Sequence, residues 1–243
     1  MAVYLVGAGP GYSDLITVRG LNVLRRADIV VFDALANSDL LDECPNAEKI
    51  DVGKRCGDHK MRQDDINKLL VDVSADGKTV VRLKGGDPFL FGRGAEEAAE
   101  LKKAGREVHV IPGVSSSIAV PELAGIPVTH RDSSQSVTIV TGHRREGEEY
   151  ADQWKRIASA GGTIVILMGM TNAAAISEEL IAGGLSPDTA AAIITDGAGD
   201  SQRTETTDLR RLGETVIEKG LSAPGIIVIG GVVKERSVLG DLN

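Results

Sequence analysis

Residues 84–94 read KGGDPFLFGRG, and they decide the fold because they follow a short apolar run, residues 79–83, that is typical of a buried strand. Two adjacent glycines allow the backbone to turn sharply and to approach a ligand closely. Asp87 precedes Pro88 and is therefore held extended, which fixes one carboxylate at the end of the strand. Open α/β sheets bind their ligands at the carboxyl ends of the strands. A plain surface turn is the alternative, but two phenylalanines and an arginine favour a binding site.

Strand-like and helix-like segments alternate along the chain, which predicts an α/β protein with a mainly parallel first sheet covered on both faces. The short β-branched runs predict strands at residues 3–6, 29–32, 49–52, 79–83, 108–111, 137–140, 163–167, 190–194 and 225–229, with a weaker candidate at 202–207. Helices are predicted at residues 17–26, 63–73, 94–104, 152–159, 171–183 and 208–219.

The alternation is interrupted after residue 113, where Gly125, Pro127 and a polar run are typical of a connection. We therefore predict an N-terminal α/β domain at residues 1–113, a connecting segment at 114–135 and a C-terminal α/β domain at 136–243. The active site is expected in the cleft between the two domains.

The composition of the chain disfavours several classes of protein. The chain of 243 residues carries a formal net charge of −8 and only 3% aromatic residues, which disfavours nucleic-acid binding. No apolar run approaches the length of a membrane span, and the N-terminus has no basic leader. Cys44 and Cys56 have neither metal-ligand nor disulfide-framework spacing. We expect a cytoplasmic protein without a metal.

Two other glycine-rich turns match known phosphate-binding loops only in part. Residues 7–11, GAGPG, lack the third glycine of a dinucleotide fingerprint because Tyr12 stands there, so a dinucleotide site is disfavoured but left open. Gly53-Lys54 lacks the upstream glycine and the hydroxyl of a phosphate loop. Basic residues gather at 54–62, 129–132 and 141–145. They form either a solvated face or, beside glycine-rich turns, a pocket for a polyanionic small molecule.

The chain resembles the tetrapyrrole methylases over residues 3–233, and most closely those members that act on uroporphyrinogen III. Six ordered motifs carry the resemblance: VGAGPG at 6–11, DVGKR at 51–55, VRLKGGDPF at 81–89, PGVSS at 112–116, GIPVTHRD at 125–132, and QSVT leading to TGH at 135–143. Ala34 and Ser133-Ser134 depart from the common pattern near the expected substrate contacts.

The resemblance implies a homodimer of two-domain subunits, with a mainly parallel N-terminal sheet, a mixed C-terminal sheet and helices on both faces. It implies S-adenosylmethionine as methyl donor, S-adenosylhomocysteine as product and no metal. Asp33 falls at the family's proton acceptor and Lys54 at its proton donor. The residues expected to contact the cofactor are Pro10, Gly85, Gly86, Asp87, Leu90, Ser115, Ser116, Met168, Gly197 and Gly225.

The implied reaction is C-methylation of uroporphyrinogen III at C2 and C7, giving precorrin-2 for sirohaem or cobalamin biosynthesis. The candidates to bind the substrate carboxylates are Arg55, His59, Arg93, His130, Arg131 and His143. Three alternatives remain: a methylase of a later corrin intermediate, a methylase of diphthamide or ribosomal RNA, and a non-catalytic module that binds S-adenosylmethionine. The acidic net charge and the small number of aromatic residues disfavour the methylase of diphthamide or ribosomal RNA.

Overall fold

The structure is a computed structural model that describes residues 2–53, 61–75, 77–143 and 150–243. The chain divides into two compact units, Met1–Ser116 and Ser117–Asn243. Across these described ranges, no helix combines the length and the apolar character needed to cross a membrane. Each unit contains a five-stranded sheet.

The first unit is a parallel sheet with the strand order β3-β2-β4-β1-β5. Its strands are β1 (Val3–Gly7), β2 (Ile29–Phe32), β3 (Glu48–Asp51), β4 (Val80–Lys84) and β5 (Val108–Ile111). Its helices are α1 (Val18–Leu24), α2 (Gln63–Val73) and α3 (Gly94–Lys103).

Helices cover both faces of this sheet. Val30 and Val31 are neighbours in β2 but belong to different apolar clusters, so the two clusters lie on opposite faces. Leu24 of α1 joins one cluster, and Leu70 of α2 joins the other together with Leu101 of α3. The connections after β1 and β4, which are neighbouring strands, therefore leave on opposite faces. Such a divergence creates a crevice at the carboxyl ends of the two strands.

The second unit is a mixed sheet with the strand order β6-β7-β10-β8-β9, in which β6 and β7 are parallel and the other pairs antiparallel. Its strands are β6 (Val137–Thr141), β7 (Thr163–Leu167), β8 (Ala190–Thr195), β9 (Arg203–Asp208) and β10 (Gly225–Ile229). Its helices are α4 (Ser116–Leu123), α5 (Tyr150–Ala160), α6 (Ala173–Ala182), α7 (Leu212–Glu218) and α8 (Arg236–Leu239).

The prediction of an α/β fold with a parallel first sheet and a mixed second sheet is confirmed, and the weaker candidate at residues 202–207 is strand β9. Two predicted helices begin with 3-10 turns instead, Met170–Asn172 before α6 and Leu209–Arg211 before α7. Hydrophobic periodicity cannot separate such short turns from the helix that follows them.

Residues 114–135, predicted as the connection, include helix α4. The domain boundaries stay a prediction.

Candidate active site

The loops at the carboxyl edge of the first sheet contain most of the site residues predicted in this unit. All five strands are parallel, so the segments that follow them lie at one edge. Pro10 follows β1, Asp33 follows β2, Gly85–Asp87 follow β4, and Ser115 follows β5. Gly85 also contacts the loop after β2, because a Cβ atom on Gly85 would lie 2.7 Å from Leu35 Cβ. The parallel topology thus gathers predicted cofactor residues and the predicted proton acceptor.

Glycines allow three of these loops to pack backbone against backbone. The loops after β1 and β4 are joined by reciprocal hydrogen bonds between Gly9 and Gly86, with N···O distances of 3.3 and 2.9 Å. A Cβ atom on Gly113 would lie 2.2 Å from the Gly86 carbonyl oxygen, and one on Gly7 would lie 2.5 Å from Gly113 Cα. Real Cβ atoms do not come so close to backbone. Gly7 and Gly113 are therefore required for packing these loops together.

The Asp87 carboxylate organises the loop that follows β4. Its Oδ1 accepts hydrogen bonds from the backbone N–H groups of Phe89 and Leu90, at 2.8 and 3.1 Å. Its Oδ2 accepts one from Gly113 N at 3.0 Å, which connects the loop to the segment after β5. Asp87 and Leu90 are both predicted cofactor contacts. The structure adds that Asp87 holds two loops in place.

The backbone of Gly86 is open on one side. Gly86 has a φ of +66°, and the atoms nearest to a Cβ built there are Ser116 N at 3.8 Å and Val114 O at 4.0 Å, so this side of the backbone is open. Among the large apolar side chains exposed in the same unit are Leu35, Phe89 and Val114, in the loops after β2, β4 and β5. Open backbone beside apolar surface can accept a ligand that has both a flat apolar base and polar groups.

Non-glycine residues with a positive φ are concentrated in loops that contain predicted site residues. In the described parts of the chain these are Phe91 and Arg93 after β4, Met168 after β7, and Asp196 and Ala198 after β8, with φ between 49° and 59°. Each such residue costs about 1–2 kcal/mol relative to the right-handed region. Strain of this kind accumulates at functional sites.

Asp33 belongs to a buried network of charged side chains. Its Oδ2 accepts a hydrogen bond from Arg82 Nη2 at 3.1 Å. Arg82 Nε and Lys84 Nζ both donate to Glu97 Oε1, at 3.2 and 3.0 Å. The side chains of Arg82, Lys84 and Glu97 are at most 5% exposed, whereas Asp33 is 26% exposed. Asp33 is thus the member of this network that is most accessible to solvent.

Burial lowers the pKa of Lys84, and the neighbouring Arg82 lowers it further, while Glu97 opposes both effects. This network was not predicted, because Arg82 was assigned to a strand, Lys84 to the glycine-rich loop that follows it and Glu97 to a helix. A signal was present: two cations at alternate positions of an otherwise apolar strand share one face. Buried cations require a carboxylate partner, which the following helix provides.

Arg93, a predicted substrate contact, lies at the surface just before α3. Its Nε and Nη2 donate to the two carboxylate oxygens of Glu96, at 2.9 and 2.7 Å. The pKa of Arg93 is raised, chiefly by its hydrogen bond to Glu96. A substrate carboxylate would therefore have to compete with Glu96 for this guanidinium.

The second unit gathers its predicted cofactor residues at one edge of its own sheet. Strands β7 and β8 are both antiparallel to β10, so their carboxyl ends lie beside the amino end of β10. Met168 follows β7, Gly197 follows β8, and Gly225 begins β10. His143, a predicted substrate contact, follows β6 at the same edge because β6 and β7 are parallel.

His130 and Arg131 lie near the opposite edge of the second sheet. His130 pairs with Ser134 through two backbone hydrogen bonds, and the Ser134 hydroxyl accepts from Thr163 at the start of β7. The Nδ1 of His130 lies 4.0 Å from Glu235, and Arg131 is exposed. Within this unit, His130 and Arg131 are therefore not brought together with His143. Their role in substrate binding stays a prediction.

Three predicted site residues, Lys54, Arg55 and His59, lie outside the described residues. Among the residues that the structure does describe, no group of three or more His, Cys, Asp or Glu side chains is arranged to hold a metal ion.

The family model for Tetrapyrrole (Corrin/Porphyrin) Methylases matches residues 2–213. The chain is 45% identical over 241 residues to a Methanosarcina barkeri protein named S-adenosyl-L-methionine-dependent uroporphyrinogen III methyltransferase, covering 98% of this chain and 94% of that protein. It is 47% identical over 238 residues to a siroheme synthase of Thiobacillus denitrificans, covering 98% of this chain and 50% of that protein. This chain thus spans about half the length of that synthase.

A solved structure supports the same relationship. The crystal structure of uroporphyrin-III C-methyl transferase from Thermus thermophilus, complexed with S-adenyl homocysteine, matches with a TM-score of 0.83 and 33% sequence identity. The match covers 96% of this chain and 99% of the Thermus chain. The similarity therefore includes both units.

Proposed function

The chain belongs to the tetrapyrrole methylases, and we propose that it transfers methyl groups from S-adenosylmethionine to two ring carbons of uroporphyrinogen III, C2 and C7. The product would be precorrin-2, together with two molecules of S-adenosylhomocysteine. The Methanosarcina barkeri relative is named for uroporphyrinogen III, and the Thermus structure contains S-adenyl homocysteine. The similarity to a siroheme synthase supports a place in sirohaem biosynthesis.

The observation that carries this proposal is the open edge beside Gly86, together with the partly exposed carboxylate of Asp33 in a neighbouring loop. We assign Pro10, Gly85, Gly86, Asp87, Leu90, Ser115 and Ser116 of the first unit to the cofactor. Met168, Gly197 and Gly225 of the second unit have the same assignment. S-adenosylmethionine would supply the methyl group on an activated sulfonium, so the protein has mainly to align the reacting atoms.

Asp33 is suited to accept a proton from the alkylated ring. Both of its oxygens are oriented, since Oδ1 accepts from Leu35 N at 3.2 Å and Oδ2 from Arg82 at 3.1 Å. General bases must be held within hydrogen-bond reach of the proton they remove, and a fixed carboxylate meets this requirement. We assign the complementary proton donor to Lys54.

The substrate is a polyanion with eight carboxylates, and the protein itself is acidic. Local cations must therefore bind it. We assign this role to Arg55, His59, Arg93, His130, Arg131 and His143. Arginine can bind a carboxylate through two parallel hydrogen bonds, which would fix the orientation of the ring. We further propose a cytoplasmic homodimer that needs no metal and binds neither nucleic acid nor membrane.

The experiment that tests the proposal compares substrates. Purified protein is incubated without oxygen with S-adenosylmethionine that carries a labelled methyl group, and with uroporphyrinogen III or a later corrin intermediate. Label transferred only to uroporphyrinogen III is the expected result. Label transferred only to the corrin would move the activity to a later step, and binding of the cofactor without transfer to either would indicate a sensor.

A further inference from the structure

We propose that Glu97 is a positioning residue for the methylation, acting on Asp33 through Arg82. The inference rests on the proposed function, in which Asp33 accepts the proton. Glu97 itself is fully buried and has no access to a substrate. Its effect on the reaction must therefore pass through the residues that it contacts.

The contacts form a continuous path from Glu97 to Asp33. Arg82 donates through Nε to Glu97 Oε1 at 3.2 Å and through Nη2 to Asp33 Oδ2 at 3.1 Å. Its Nη1 donates to the backbone carbonyls of Leu83 and Val31, at 2.9 and 3.4 Å. The guanidinium is thus bound on all three nitrogens. Because it is planar and rigid, the position of Nη2 depends on the bond at Nε.

Glu97 is a shared acceptor rather than half of a simple ion pair. Its Oε1 accepts from Arg82 Nε, from Lys84 Nζ at 3.0 Å and from Gln63 Nε2 at 3.3 Å. Its Oε2 is buried and has no hydrogen-bond partner among the described residues. A carboxylate whose donors all converge on one oxygen has its orientation set by those donors.

The charge balance explains why a carboxylate is needed at this position. Glu97 and Asp33 are the carboxylates paired with the buried cations Arg82 and Lys84. If Glu97 loses its charge, Asp33 becomes the one carboxylate within ion-pair distance of Arg82 among the residues described. The stronger pairing then makes Asp33 a weaker proton acceptor. A purely structural Glu97 would instead affect stability without a specific effect on Asp33.

The test is a double-mutant cycle with Glu97→Gln and Asp33→Asn. Glutamine keeps an oxygen for Arg82 and removes the charge. We expect Glu97→Gln to lower kcat about tenfold, with the Kd of S-adenosylmethionine and the KM of uroporphyrinogen III within about twofold of the parent. Glu100→Gln is the matched control on the same helix, since Glu100 pairs with Lys103 at the surface, and it should keep full kcat.

The cycle tests two hypotheses separately: that Asp33 is the base, and that Glu97 positions it. If Glu97 acts through Asp33, Glu97→Gln has no further effect on the single-turnover formation of precorrin-2 in an Asp33→Asn background. An equal loss in both backgrounds would overturn the positioning role and leave the base assignment intact. A normal rate for Asp33→Asn alone would overturn the base assignment, and the positioning role with it. If Glu97→Gln does not fold, the same cycle is run with Glu97→Asp, which keeps the charge but lengthens the contact with Arg82.

Discussion

Asp33 and Asp87 lie in different loops at the same edge of the first sheet, and their hydrogen bonds suit them to different roles. The oxygens of Asp87 accept three backbone N–H groups, which uses the carboxylate to hold loops together. Asp33 accepts one backbone N–H group and one arginine, and it remains a quarter exposed. A carboxylate that must accept a proton needs access to the substrate. The geometry therefore favours Asp33 over Asp87 as the base.

The first prediction concerns the two proposed catalytic side chains. Asp33→Asn and Lys54→Ala should each lower the rate of precorrin-2 formation about 100-fold or more, because each removes a group that transfers a proton. The Kd of S-adenosylmethionine, measured by calorimetry, should stay within about twofold of the parent. The control is Asp39→Asn, an exposed carboxylate in the segment that follows β2. A normal single-turnover rate in either catalytic variant would remove that residue from the mechanism.

The second prediction concerns the open space beside Gly86. Gly86→Ala would place a methyl group in this space and would also cost about 1–2 kcal/mol for its positive φ. We expect the Kd of S-adenosylmethionine to rise about tenfold or more, a change of about 1.4 kcal/mol per factor of ten. Gly105→Ala separates the two effects, because Gly105 has a φ of +73° and equally open space at a turn after α3. It should cost similar stability and leave cofactor binding unchanged. Equal affinities in the two variants would place the cofactor elsewhere.

At the scale of elements, the two sheets bring residues together by different means. In the first, parallel strands place all the following loops at one edge. In the second, the antiparallel β10 returns between β7 and β8, so that its first residue joins their carboxyl ends. Both arrangements collect short glycine-containing loops at one edge of a sheet.

The third prediction tests the packing of those loops. Gly113→Ala should destabilise the protein by about 1–3 kcal/mol or more, because its methyl group would overlap the backbone of Gly86. Gly231→Ala is the control, since a Cβ atom there would make ordinary contact with Ser133, at 3.5 Å, and no positive φ is involved. Urea unfolding of both variants measures the difference. A Gly113→Ala variant as stable as the control would mean that the loops do not pack in this way.

The sequence is informative about strands and their loops because each strand is a short β-branched run and each turn contains glycine or proline. The alternate cations Arg82 and Lys84 indicate a buried charged face, but the sequence could not show that Asp33 and Glu97 are their partners, since these residues meet only after the sheet forms. It also could not show that His130 and His143 lie at different edges of one sheet. Their separation depends on the direction of strand β6, which passes between them.

At the scale of the whole molecule, the main physical problem is that an acidic protein must bind an acidic substrate. The formal net charge is −8, and the substrate carries eight carboxylates. Overall repulsion must be overcome by cations close to the site. Interactions between exposed charges weaken as salt shortens the screening length from about 10 Å at 0.1 M to about 3 Å at 1 M.

The fourth prediction concerns the effect of salt on substrate binding. Raising the salt concentration should increase the KM of uroporphyrinogen III several-fold, because screening weakens its contacts with the proposed arginines and histidines. The Kd of S-adenosylmethionine should change much less, since open backbone and apolar surface dominate its proposed site. Steady-state kinetics and calorimetry across a salt series measure the two quantities. A KM that does not respond to salt would contradict binding through exposed cations.

The central claim is that this chain methylates uroporphyrinogen III twice, and the most direct test is the mass of the product. The protein is incubated without oxygen with uroporphyrinogen III and excess S-adenosylmethionine until the reaction stops, and the tetrapyrrole is then analysed by mass spectrometry. The account predicts a gain of two methyl groups, with two molecules of S-adenosylhomocysteine formed per tetrapyrrole. A final gain of one methyl group, or none while the cofactor binds normally, would contradict it.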